Sequence, residues 1–163
     1  MSLPPQDLPP ARSGLIAVSY VIFRQADAVL LQQRRGTGFL DGYWGAAAAG
    51  HLENGESAVA AAIREAGEEL GVLVREDHLH PLTVLQCPAA VKDQPGRVDF
   101  FFECRSWLGT PEIQEPDKAV DLRWFGLDDL PIPVVPHEKV VLEQLRLPLP
   151  AFTCLVPWRT FSG

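Results

Sequence analysis

The chain has 163 residues, 47% of them hydrophobic, and a formal net charge of −7. That length and apolar fraction suit one compact unit with a real core rather than two, and the acidic balance excludes a duplex-phosphate binder, which needs clustered Lys and Arg. Cys87, Cys104 and Cys154 have neither metal-type pairing nor the density of a disulfide scaffold, so they read as small buried hydrophobes in a protein of the reducing cytoplasm.

Residues 1–14 are Pro-rich and hold no secretory or membrane-spanning apolar stretch; they are expected to form a flexible lead to a single domain over 15–163. The β-branched and aliphatic run Leu15 to Phe23 predicts a strand and Ala28 to Gln33 its partner, joined by a turn near Gln25-Ala26-Asp27. Arg34 and Arg35 follow. A cation there would reach a substrate phosphate, although a surface arginine pair is the commoner explanation. Phe39, Tyr43 and Trp44 suit either stacking on a base or, more commonly, the core.

Next comes Gly50-His51-Leu52-Glu53-Asn54-Gly55-Glu56, and then Arg64-Glu65-Ala66-Gly67-Glu68-Glu69-Leu70-Gly71-Val72. As spacing this is a glycine, five residues, a glutamate, seven residues, and R-E-U-x-E-E-x-G-U, where U is aliphatic. Ser57 to Leu70 lacks proline, is rich in Ala, Glu, Leu and Arg, and predicts a helix stopped by Gly71. At about 100 degrees per residue, Val59, Ile63, Ala66 and Leu70 form a core stripe, while Glu65, Glu68 and Glu69 cluster on another. Those carboxylates repel one another, and Arg64 offsets only part of their charge. A divalent cation would offset the rest, and oxygen-only donors suit hard Mg2+ or Mn2+. A solvated acidic face explains most such helices, but it gives no reason for a Gly-containing loop with Glu56 at a fixed distance upstream.

Leu82 to Cys87 and Val98 to Cys104 predict strands flanking a polar loop with Lys92-Asp93-Gln94-Pro95-Gly96, and Val120 to Phe125 predicts another. Pro136 to Leu145 predicts a second helix. Strands on both sides of a long amphipathic helix, closed by a C-terminal helix, give an α/β architecture with a mixed sheet packed between helices. His51, lone in its loop, is more often structural than a proton shuttle; His78, His80 and His137 lack metal-ligand spacing.

The glycine-glutamate-helix pattern over residues 50–72 is that of the Nudix box, and the chain resembles the Nudix hydrolase family, in particular its small MutT-like members. The resemblance implies an α/β/α sandwich from about Leu15 to Leu145. It implies that Glu68 and Glu69 are the principal metal ligands, that Glu65 is a further ligand or the base activating water, that Arg64 pairs with Glu56 to hold the loop on the helix, and that the Ala49 carbonyl is another ligand. Gly50, with Arg34 and Arg35, is assigned to the substrate. One more acidic ligand is expected downstream, with Glu115 the candidate against Glu112, Asp117 and Asp121. Many members carry Pro-Gly-Gly or Pro-Ala-Gly before the box, whereas this chain has Ala46-Ala47-Ala48-Ala49-Gly50; a Cβ at residue 49 restricts positive φ but leaves the carbonyl available.

The implied activity is Mg2+-dependent hydrolysis, with Mn2+ as an alternative ion, of a phosphoanhydride in a nucleoside diphosphate linked to another moiety: a nucleoside triphosphate, ADP-ribose or a related nucleotide. The alternative is a Nudix-like domain that senses a nucleotide without cleaving it, although a sensor has no need of all of Glu56, Glu65, Glu68 and Glu69. The isomerase branch of the fold uses a cysteine upstream of the box, and here the first is Cys87, downstream. The expected partner is a small nucleotide, with no nucleic acid duplex and no membrane; monomer and homodimer both stay open.

Overall fold

The computed structural model describes residues 14–89 and 94–155. The expected N-terminal lead, apart from Gly14, and Lys92-Asp93 of the expected polar loop lie outside the described residues. Along the chain run β1 (Leu15–Gln25), β2 (Ala28–Arg34), β3 (Trp44–Ala46), β4 (Ala48–His51), α1 (Ala58–Leu70), β5 (Leu79–Cys87), β6 (Gly96–Cys104), β7 (Ala119–Gly126), α2 (Pro136–Leu142) and β8 (Phe152–Cys154). They build a mixed eight-stranded sheet covered by α1 on one face and α2 on the other. No helix among the described residues is long and apolar enough to cross a membrane.

The hairpin β1–β2 is closed only at its turn, where Arg24 pairs with Val29 and Gln25 with Ala28, and Ala26 takes a φ of 48°. Beyond the turn the two strands part, and the segment from Trp44 to His51 fills the opening. Its first half, β3, pairs with β2, and its second half, β4, pairs with β1. Side-chain alternation breaks where the partner changes: Ala46 lies in the α2-side core, Ala47 and Ala48 both lie in the α1-side core, and Ala49 packs back against the α2 side. β3 and β4 were not expected from the sequence, because a short run of alanine and glycine lacks the β-branched and aromatic residues that mark strands.

β1 runs parallel to β6, from Leu15 opposite Gly96 to Phe23 opposite Cys104, and is buried on both faces. Tyr20 and Ile22 join Leu31, Trp44, Phe101, Val141 and Leu142 below α2, whereas Val21 and Phe23 join Phe102, Ala62, Ala66 and Leu70 below α1. The later expected strands are present with longer bounds, and β8, three residues after a Pro-containing stretch, is an addition. α2 ends at Leu142 rather than Leu145, with i→i−3 bonds from the Gln144 and Leu145 amides continuing in tighter turns.

Local chemistry sets the ends of α1. The Ser57 hydroxyl accepts the Ala60 N–H, and Gly71, left-handed at φ 68°, donates its N–H to Gly67. Its buried residues are Ala61, Ala62, Ala66 and Leu70, while Val59 and Ile63 are only half-buried on the flank. The expected stripe is therefore rotated toward the alanines, which lie in one core with Ala47 and Ala48. Leu70 is fully buried. Leu70→Ala should thus cost about 2 to 5 kcal/mol, and Ile63→Ala less than half as much, in urea unfolding followed by circular dichroism. Equal costs would contradict this placement of the faces.

Candidate active site

The close seating of α1 on β4 brings the acidic helix face to the backbone of Ala49 and Gly50. A Cβ on Gly50 would stand 1.9 Å from Glu65 Oε1, so the glycine is what admits the carboxylate. The Ala49 N–H donates to Glu69 Oε2 at 2.8 Å. Ala49 adopts no left-handed φ, the non-glycine residues that do among the described residues being Ala26 and Leu40. An alanine before the box glycine is thus accommodated without strain.

Arg64 gathers the rest. Its Nε and Nη2 donate to the two Glu56 oxygens at 2.9 and 3.0 Å, and Nη2 also donates to the His51 carbonyl at 3.0 Å. Nη1 donates to Glu65 Oε1 at 2.6 Å and to Glu68 Oε2 at 3.1 Å. Glu56 in turn accepts the Glu53 N–H, closing the loop on itself. The Arg64 bonds, with that amide, hold the Glu56 carboxyl below the usual range, and Glu56 in return raises Arg64.

A cleft of about 670 Å³ opens beside this wall, lined by Ala49, Gly50, Arg64, Glu65 and Glu69 and also by Arg34, Arg97, Lys118, His137 and Glu138. Glu68, with a side chain 56% exposed, is not among the lining residues and is tied to them through Arg64. Arg34 donates to Phe39 O and Thr37 Oγ1, so the loop after β2 holds its guanidinium, whereas Arg35 is exposed and outside the cleft lining. Trp44 is core. The segment leading to Glu115 is strapped along the end of α1 by the Glu112 N–H to Leu70 O and the Gln114 N–H to Glu69 O. Glu115 pairs with Lys118 at 2.8 Å and adds to the negative field on Glu69.

Burial pushes the Glu69 carboxyl up to about 8, partly countered by the Ala49 amide and reinforced by Glu65 and Glu115. Among the described residues no three acidic, His or Cys side chains stand at common ligating distance, since Arg64 engages Glu65 and Glu68. The donor chemistry nevertheless fits a hard divalent cation: the groups are all oxygen, and the half-buried Glu69 carboxyl holds one backbone donor and, among the described residues, no basic partner within ion-pair distance.

Sequence reasoning missed the cleft floor. The Tyr20 hydroxyl and His137 Nε2 lie 3.0 Å apart, Tyr20 stacks on Phe101, and Arg97 Nε contacts the fully buried Asp99 at 2.8 Å. Glu138, also buried, accepts the Ala46 N–H. Burial raises Asp99 to about 6 and Glu138 to about 7, and burial, with Arg97 and Arg34, lowers His137 to about 3. The one clue in the sequence is Asp99, a charge in the midst of an apolar strand.

A family model described as the NUDIX domain matches residues 15–145. The chain is similar to the crystal structure of a MutT NUDIX hydrolase from Burkholderia pseudomallei, with 28% identity, 80% of this chain and 97% of that chain covered, and a TM-score of 0.72. It is also similar to a MutT protein from Bacillus halodurans (23% identity, 87% and 90% covered, TM-score 0.70) and to the ORF135 protein of E. coli (23%, 82% and 90%, TM-score 0.66). No curated protein matches the chain.

His137 allows a test of the cleft floor. Its folded value of about 3 lies below the ordinary 6.5, so between these values the unfolded chain binds the proton and the folded one does not. Its contribution to stability is therefore lost as pH falls through that window, with Asp99, raised to about 6, acting in the opposite sense. His137→Asn should show a shallower fall in urea midpoint than wild type as pH falls from about 6 to about 4. Parallel curves would show that His137 is not held neutral.

Proposed function

The chain belongs to the NUDIX family and is a Nudix pyrophosphohydrolase, and from that premise we propose that it uses Mg2+, with Mn2+ able to replace it, to hydrolyse a phosphoanhydride in a nucleoside diphosphate linked to another moiety. Nucleoside triphosphates and ADP-ribose are the substrate classes to test first. The supporting observation is the convergence of Glu65, Glu69 and the Ala49-Gly50 backbone in a cleft that is also lined by Arg34, Arg97 and Lys118.

Glu68, Glu69, Glu65 and the Ala49 carbonyl would hold the ion, with Glu115 as the additional acidic group near Glu69. When bound, a divalent ion supplies charge to offset the phosphate oxygens and makes water a better acid. Glu65, beside Gly50 and inside the cleft, would serve as a ligand of that ion or as the base that accepts the proton of the attacking water. Arg34 and Lys118, which line the cleft, would take phosphate oxygens, and the exposed Arg35, outside the lining, would not. Arg64, bound on both terminal nitrogens and on Nε, acts as a brace: it fixes the Glu56 loop and the direction of the Glu65 and Glu68 carboxylates. We further place the enzyme in the cytoplasm as one domain from residue 15 onward, a reading supported by the free state of Cys87, Cys104 and Cys154.

Incubation with nucleoside triphosphates, ADP-ribose, NADH, sugar nucleotides and dinucleoside polyphosphates plus Mg2+ should release phosphate-containing products from at least one of them. EDTA should abolish that turnover and excess Mg2+ restore it; silence across the panel with both ions overturns the reading.

The glutamates should separate by role. Glu68→Gln should weaken Mg2+ binding and lower the rate together, with part of the rate recovered at high Mg2+. Glu56→Gln should lower kcat by about 10- to 100-fold through its hold on Arg64, with little change in the Mg2+ concentration needed. Identical shifts in Mg2+ dependence for the two variants would defeat these role assignments.

A further inference from the structure

β3 carries a backbone donor that no strand takes. Its outward side is closed by the segment before α2: the Trp44 N–H donates to Pro133 O at 2.9 Å, and the Val135 N–H donates to Trp44 O at 2.8 Å. The next outward donor, the Ala46 N–H, finds no backbone carbonyl and donates instead to Glu138 Oε2 at 2.5 Å. This happens at the residue before the strand leaves β2 for β1, where a buried, unpaired N–H would be costly. Glu138 is itself buried, and it fits because residue 45 is glycine: a Cβ there would stand 3.0 Å from both carboxylate oxygens. Burying a carboxylate is expensive, and the bond to the Ala46 N–H offsets part of that cost.

Three residues beyond Ala46 stands Ala49, whose N–H holds Glu69, and then Gly50, against which Glu65 lies. We propose that Glu138 is a positioning residue: by taking the Ala46 N–H it fixes where the strand changes partner, and so sets the position at which the Ala49-Gly50 backbone meets Glu65 and Glu69. The proposal rests on the reading of that backbone as the metal-facing wall. It gives α2, on the opposite face of the sheet from α1, a direct hold on the acidic site.

The test compares wild type with Glu138→Gln, Glu138→Ala and Gly45→Ala by amide hydrogen exchange at Ala46 and Ala49, by Mn2+ affinity from the paramagnetic resonance of the free ion, and by kcat and KM. In Glu138→Ala the two amides should exchange about tenfold faster or more while the β1–β6 amides keep their protection, Mn2+ should bind about tenfold more weakly, and kcat should fall more than KM rises. Glu138→Gln, which retains an acceptor oxygen, should recover most of all three effects. Gly45→Ala, crowding the carboxylate, should lie between. Wild-type Mn2+ affinity and Ala49 exchange in Glu138→Ala would overturn the proposal, as would loss of protection spread evenly over all strands. If Glu138→Ala does not fold, Gly45→Ala decides: unchanged Mn2+ affinity overturns it. Because Mn2+ affinity and exchange need no substrate, a wild type that binds Mn2+ yet cleaves nothing defeats the proposed activity and leaves this measurement standing.

Discussion

The distance between helix α1 and strand β4 governs this molecule. Ala62 and Ala66 from the helix share a core with Ala47 and Ala48 from the strand segment, and these small side chains suit a close approach of the two backbones. Only at that separation does a glutamate on the helix reach the backbone at Ala49 and lie on the bare Cα of Gly50. Larger core residues would give a better-filled hydrophobic layer and no site. The alanine run that departs from the family's usual glycine-rich entry thus has a packing reason.

The same proximity shapes the electrostatics. Three carboxyls from separate elements, Glu69 on α1, Asp99 on β6 and Glu138 on α2, are each pushed up by burial around one cleft. Arg64 and Arg97 meet the charge of their neighbours directly, and the backbone amides of Ala49 and Ala46 do so for Glu69 and Glu138. Glu69 and Glu138, answered only by an amide, are the less neutralised of the three.

What could be read from the chain was what lies close together along it. Ser57 and Gly71 bound α1 as expected, and the Glu56–Arg64 pair spans a loop and two helical turns. The apolar runs of β1, β2 and β6 were visible because burial on both faces demands continuous hydrophobicity. β3 and β4 were hidden by their alanines, and the true stripe of α1 was hidden for the same reason: Ala62 carries less weight than Ile63 in a periodicity count and packs more tightly. The cleft floor was out of reach for a different reason. Tyr20, Arg97 and His137 come together only through the parallel pairing of β1 with β6 and the docking of α2, contacts between residues far apart in sequence.

The partner exchange within Trp44–His51 also constrains what variation the segment can absorb. Side chains from Ala46 to Ala49 pack in or against the two cores, so only residues of similar small volume fit there. Length is another matter. The segment is registered against β2 at one end and β1 at the other, so an added or deleted residue cannot be taken up by sliding: either pairing would have to invert its inward and outward faces. Relatives should therefore drift in composition here while preserving residue count, with insertions collecting in the loops on either side.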